Sequence, residues 1–186
     1  MRRLFISFVC VLSLAACGVG GDARAPNDPQ LDSMFTQLAE APDDAAAAAL
    51  EAQIWQRWAE SGSATVDVLL ERARAAESAG DNELAVQFLD QASDLAPNYA
   101  EPWNRRASIA YDAEDYAGAI AAIQETLKRE PRHFGALGGL GLIYEELGQE
   151  RAALEAFRAA LAVHPHYELA VQGVRRLEPR VDGRDA

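Results

Sequence analysis

Few side chains in this chain of 186 residues are of a kind that does chemistry. The three histidines, His133, His164 and His166, all stand beside Pro131 or Pro165. His164-Pro165-His166 could offer two imidazoles to a metal ion, with His133 as a third. No cysteine or carboxylate stands at a spacing that completes such a site, and turns take polar residues freely. Asp43-Asp44 and Glu145-Glu146 are candidate acid/base pairs, but they read more simply as a helix N-cap and a solvated helix face. Gly135, Gly138, Gly139 and Gly141 are spaced somewhat like a phosphate loop, yet no strand precedes them and no lysine follows. Lys128 is the only lysine. Hydrolase, zincin and Walker motifs are absent. Neither a catalytic residue nor a cofactor is implied. What remains is recognition.

Recognition needs a surface, and here the surface must come from a repeat. Residues 134–166 hold two helical runs, with Leu137, Leu140, Gly141 and Tyr144 in one and Ala153, Phe157 and Ala160 in the other. Gly148-Gln149 divides them and Pro165 closes the second. The same order recurs at a step of 34: Pro97, Pro131 and Pro165; Ala73, Ala107 and Gly141; Ala85, Ala119 and Ala153. These ladders resemble the tetratricopeptide repeat (TPR), with Leu137 in the usual tryptophan place. The resemblance implies an all-α, right-handed solenoid of helix-turn-helix units at 66–99, 100–133 and 134–167. In each unit a helix A packs on a helix B at the small residues. Arg72 and Arg106 stand where the family usually has leucine; their stems can cover apolar surface while the guanidinium reaches an acid.

Both flanks follow from the same pattern. At 31–65, Leu31, Met34, Phe35 and Leu38 form one short amphipathic helix, and Leu50, Ile54, Trp55 and Trp58 lie on a second after Pro42. This degenerate hairpin is expected to cap the solenoid, its two tryptophans covering the open end. At the other end 168–178 reads as a capping helix, with Ala170, Val174 and Leu177 inward and Arg175 and Arg176 in its last turn. The polar tail at 179–186 is expected to be disordered.

The N-terminus reads as an address. Arg2 and Arg3 precede an apolar run from Leu4 to Leu14, too short to span a bilayer, and Leu14-Ala15-Ala16-Cys17 follows. That tetrapeptide resembles a bacterial lipobox. The resemblance implies a signal peptide at 1–16, lipid on Cys17 and, since Gly18 follows, sorting to the outer membrane. Residues 17–30 read as a flexible tether. An ordinary secretory leader is the alternative, giving a soluble secreted protein. With Cys10 removed and Cys17 acylated, no disulfide is expected.

The net charge of -12 argues against a nucleic-acid partner. By TPR register the concave groove is lined by Glu71, Arg74 and Glu77, then Asn104, Arg105, Ser108 and Tyr111, then Gly138, Gly139, Leu142 and Glu145, with Gln172 on the capping helix. Gly138-Gly139 is expected to leave a shallow place for a partner backbone. Arg74 and Arg105 are expected to meet an acidic segment, with Tyr111 beside them. The chain resembles TPR lipoproteins that serve envelope or appendage assembly, which implies a lipid-anchored periplasmic adaptor binding a protein or peptide. A metal carrier using the turn histidines is the rival from another class. Cys17→Ala should abolish palmitate labelling and leave an unprocessed or soluble form, whereas wild type should partition into detergent. A wild-type protein found soluble and unlabelled would overturn the lipidation.

Overall fold

The computed structural model describes residues 28–183, so the leader, Cys17 and nearly all of the tether lie outside the described residues. Among the described residues there are helices and no strand. They are α1 (Pro29–Ala39), α2 (Asp44–Ala59), α3 (Ala64–Ser78), α4 (Asn82–Leu95), α5 (Glu101–Asp112), α6 (Tyr116–Arg129), α7 (Phe134–Glu146), α8 (Glu150–Val163) and α9 (Glu168–Asp182). None is long and apolar enough to cross a membrane.

Short polar residues set most of the helix starts. Asp28 accepts from the Gln30 and Leu31 amides, so α1 begins two residues earlier than the apolar period indicated. Asp43 caps α2 through the Ala46 amide at 2.8 Å. One repeat apart, Asp81 and Asp115 cap the B helices α4 and α6 in the same way. The turns that precede these caps also keep step. Gly80, Glu114 and Gly148, each 34 residues from the next, all have positive φ, at 77°, 58° and 68°. Glu114 is the only non-glycine with positive φ among the described residues, in a conformation that costs an L side chain about 1–2 kcal/mol.

Helices pair where the small residues predicted. Ala73, Ala85, Ala119 and Ala153 are fully covered, as are Ala107 and Gly141 to within a few per cent. In the third repeat the approach is closest. A Cβ on Gly141 would come within 2.5 Å of the Phe157 ring, and one on Gly173 of α9 would meet the other side of the same ring at 2.5 Å. Phe157, with no exposed surface, is thus held between two glycines on different helices. Arg106 behaves as its position implied. Its guanidinium stacks over Trp103 at 5.2 Å and pairs with Asp90 of α4.

Two expectations fail. The capping helix does not end at Glu178, because α9 continues through Pro179 to Asp182, into the stretch expected to be a disordered tail. Val181 is buried against the third repeat, Arg158 of α8 pairs with Glu178 and Asp182, and Arg180 pairs with Glu150. These ties hold the extra turn despite the missing proline N–H. The N-terminal hairpin, for its part, does not stack on α3. Its apolar face, built from Leu31, Phe35, Leu38, Ile54 and Trp58, joins Phe134, Val163 and Tyr167 in one cluster. In the first repeat Val68 of α3 and Leu84 and Leu95 of α4 stay exposed.

Gly141→Leu should overpack the Phe157 seat and cost ~1–3 kcal/mol or more. Because α9 leans on the same ring, thermal denaturation followed by far-UV circular dichroism should show a lower Tm, and amide exchange should quicken in α9 as well as α7. An unchanged melting curve would place the close approach elsewhere.

Candidate functional site

The A helices α5 and α7 stand side by side on the concave face and leave a cavity of about 210 Å³ between them. Its floor is Ala107, Ile123, Ala136 and Ile143, all buried. Its rim is Asn104, Ser108, Tyr111 and Asp112 from α5, facing Gly135, Gly139 and Leu142 from α7. Five residues assigned by register therefore meet here: Asn104, Ser108, Tyr111, Gly139 and Leu142. Gly139 is open, since a Cβ there would touch only Ile123, at 3.8 Å. Tyr111 lies 6.0 Å from Tyr116, ring to ring. Burial pushes the Tyr116 phenol up, and the carboxylates of Glu146 and Glu114 push it further.

The other assigned residues lie elsewhere. A Cβ on Gly138 would strike Tyr167 and Leu169 at 2.8 Å, so α9 already fills the gap expected for a partner backbone. Gln172 is exposed on α9 and bonds to Glu168 of its own helix. Arg105 is a strut: it donates to the Leu70 carbonyl at 3.0 Å and pairs with Glu77 at 3.4 Å, tying α5 to α3. Arg74 is exposed and pairs with Glu71 on its own helix. The two arginines line a second recess, of about 430 Å³, whose far wall is Trp55 and Ala59 of the hairpin.

That wall belongs to an arrangement built across 41 to 125 residues of chain, which no local pattern announced. The turn residues of successive repeats, Tyr99, His133, Phe134, His164 and Tyr167, form a strip along one edge of the solenoid, and the hairpin lies on it. Trp58 stacks on His133 with ring centroids 4.1 Å apart and planes 6° from parallel. The Tyr99 hydroxyl donates to the Trp58 carbonyl at 2.7 Å. Trp55 meets Phe134 edge-on at 5.3 Å and covers Gly135. Glu51 accepts from the Trp55 indole with one oxygen and faces His164 Nε2 at 3.1 Å with the other. Arg132 reaches back to Asp32 and over the Phe35 ring.

Each histidine has at least one partner, though the buried His164 Nδ1 has none. His133 Nδ1 accepts from the Ala136 amide, which leaves Nε2–H to donate to Glu101 at 3.0 Å. Burial pushes the Glu101 carboxyl up. The hydrogen bond and charge of His133, with Asn104 and Arg105 behind, outweigh that and hold it below the ordinary 4.5. His166 faces the Asp44 carboxylate at 2.7 Å and the Ala41 carbonyl at 3.2 Å. Both are acceptors, so the doubly protonated ring satisfies both. The Asp44 bond accordingly raises its pKa above 6.5, helped by the Ala41 carbonyl and the charges of Asp44 and Asp43. No three His, Cys, Asp or Glu side chains gather as a metal set among the described residues.

A solenoid of helix-turn-helix units with a side-chain-lined concave face defines a class of protein-interaction scaffold. Models of the tetratricopeptide repeat match residues 66–99 and 104–168. A TPR repeat-containing protein of Rhizobium etli is 36% identical over 162 residues, which cover 87% of this chain and 79% of that one. The chain belongs to the TPR family. Among solved structures it is similar to the Arabidopsis OM64 TPR domain, with a TM-score of 0.58 and 22% identity over 62% of this chain and 96% of that one. It is likewise similar to the first TPR of Spaghetti (RPAP3) bound to an HSP90 peptide, with a TM-score of 0.58 and 17% identity, covering 63% of this chain and 94% of that one. These two likenesses concern the fold.

Hairpin docking should depend on pH with a definite sign. The His166 contribution is fully present below about 6.5 and is lost as pH rises through its higher folded value. The Glu101 contribution is present above about 4.5 and is lost as pH falls through its lower folded value. Emission from Trp55 and Trp58 should therefore shift to the red as pH rises past His166's folded value. His166→Ala should remove that alkaline limb and leave the acid one. A His166→Ala profile identical to wild type would show that this tie does not hold the hairpin.

Proposed function

We propose that this chain is a non-enzymatic adaptor, anchored by a lipid on Cys17 to the periplasmic face of an outer membrane, whose concave face binds a segment of another protein. The observation that carries the binding half is the cavity between α5 and α7. It has a buried apolar floor, a polar rim and an open glycine, and five groove positions of the repeat converge on it. Such a combination holds an inserted side chain while rim groups meet the backbone beside it. The RPAP3 neighbour, bound to an HSP90 peptide, is an instance of this architecture with a peptide partner. The anchor rests on the lipobox-like residues 14–17, and the place in envelope or appendage assembly on the resemblance to TPR lipoproteins.

The experiment compares two sets of substitutions in the full-length, detergent-solubilised protein. Ser108→Ala, Tyr111→Ala and Gly139→Leu change the cavity, whereas Gln87→Ala and Gln124→Ala change exposed residues on the B helices. Arg158 is unsuited to this control because it ties α8 to α9. Recovery of a partner from solubilised envelopes should fall at least about tenfold with the cavity set, the loss of one to two kcal/mol expected of a contact centre. The control set should leave it unchanged, and both should keep far-UV spectra intact. Binding lost only with the B-helix set would place the partner on the convex face.

A further inference from the structure

We propose that the segment this groove takes is basic: an apolar side chain enters the α5–α7 cavity while a neighbouring lysine or arginine meets Asp112 and Glu146. This rests on the adaptor reading and names the partner's chemistry.

The argument begins with which acids are already matched. On the concave side Glu71 pairs with Arg74, Glu77 with Arg105, Glu101 with His133 and Glu145 with Arg176. At one end of the cavity the matching stops. Asp112 lines the cavity, is exposed, and has no ion pair or side-chain hydrogen bond among the described residues. Glu146 occupies the equivalent position one repeat later and is equally unmatched. Glu114 lies between them in sequence, in the turn after α5, and its charge reaches Tyr116 together with that of Glu146. The acidic partner expected for Arg74 and Arg105 fits poorly, because both guanidiniums already have a carboxylate.

These carboxylates also stand where folding disfavours them. Asp112 and Glu146 are the last residues of α5 and α7, whose final turns carry no basic residue. The exposed carbonyls there already concentrate negative potential, so an anion is unfavourable and a cation favourable. Glu114 holds a left-handed conformation that the sister repeats give to glycine. Negative charge is kept at the mouth of an apolar cavity against the local preference of the backbone. A cation from outside relieves Asp112 at the cavity rim, where the charges of Glu114 and Glu146, both of which reach Tyr116, add to the same negative potential, and the cavity supplies the apolar contact that a charge pair at a solvated rim lacks.

The test selects binders from a displayed library of random 12-residue peptides against the full-length chain in detergent. Selected peptides should place Lys or Arg within a few residues of a Leu, Ile, Met or aromatic residue. Their affinity should fall with added salt. Asp112→Asn with Glu146→Gln should weaken them about tenfold, as two rim charges imply, without lowering the Tm. Gly139→Leu, which fills the cavity, should abolish them. Peptides that are lost with Gly139→Leu but are acidic or uncharged, or that ignore the Asp112 and Glu146 substitutions, would overturn the basic partner and leave the groove standing. A library yielding no peptide sensitive to Gly139→Leu would remove the groove reading, and this proposal with it.

Discussion

Everything in the third repeat hangs on how closely α7 and α8 can approach. Phe157 fills the interval only because Gly141 and Gly173 present bare backbone to opposite edges of its ring. With alanine at the corresponding helix-A sites of the first two repeats, the same crossing is made by small residue against small residue. Packed interiors tolerate little change of volume, so this distance fixes the tilt of each A helix against its B helix. The tilt in turn decides whether α5 and α7 stand apart enough to leave a cavity. A concave face is what remains once the A–B distance has been set.

The hairpin had two apolar seats open to it. The first repeat offers only the exposed aliphatic side chains of Val68, Leu84 and Leu95. The turn strip offers rings and partners: a parallel stack on His133, edge contacts with Phe134, and acceptors or donors at Tyr99, His164 and His166. Aromatic pairs add roughly 0.5–1.5 kcal/mol each beyond their buried area. The strip also satisfies polar groups that an aliphatic face would leave bare. Two tryptophans on α2 belong with the strip for that reason.

Repetition is what made the fold legible. Pro97, Pro131 and Pro165 and the two ladders of small residues constrain every helix from 64 to 163, because each repeat independently restates the same geometry. Register likewise placed Asn104, Ser108, Tyr111, Gly139 and Leu142 around one cavity. It misplaced Gly138, since the side chains that fill that gap, Tyr167 and Leu169, come from the turn that ends the third repeat and from the capping helix beyond it. The hairpin's seat was illegible for a related reason. His166 and Asp44 are 122 residues apart and Glu51 and His164 are 113 apart, and nothing in either local pattern marks them as a pair. The histidines read as ordinary turn residues because, seen from their own segment, that is all they are.

The strip and the cavity meet at one residue. Gly135 lies in the first turn of α7, lines the cavity, and lies beneath the Trp55 indole, whose carbon a Cβ would approach to 2.5 Å. Glycine near the start of a helix costs conformational entropy without helping the cavity floor. Its presence is explained by the hairpin: any side chain there would lift Trp55 and, with it, the Phe134 contact. The cavity's width at this end is therefore set by the chain's own α2. Trp55 and Ala59 wall the recess of Arg74 and Arg105, while Asp112 on the rim of the α5–α7 cavity, with the Glu146 charge that reaches Tyr116, marks an end that carries free charge. On the adaptor reading proposed above, a segment lying along the A helices would meet an aromatic side and an acidic end, and that asymmetry would favour one direction of the bound chain over the other.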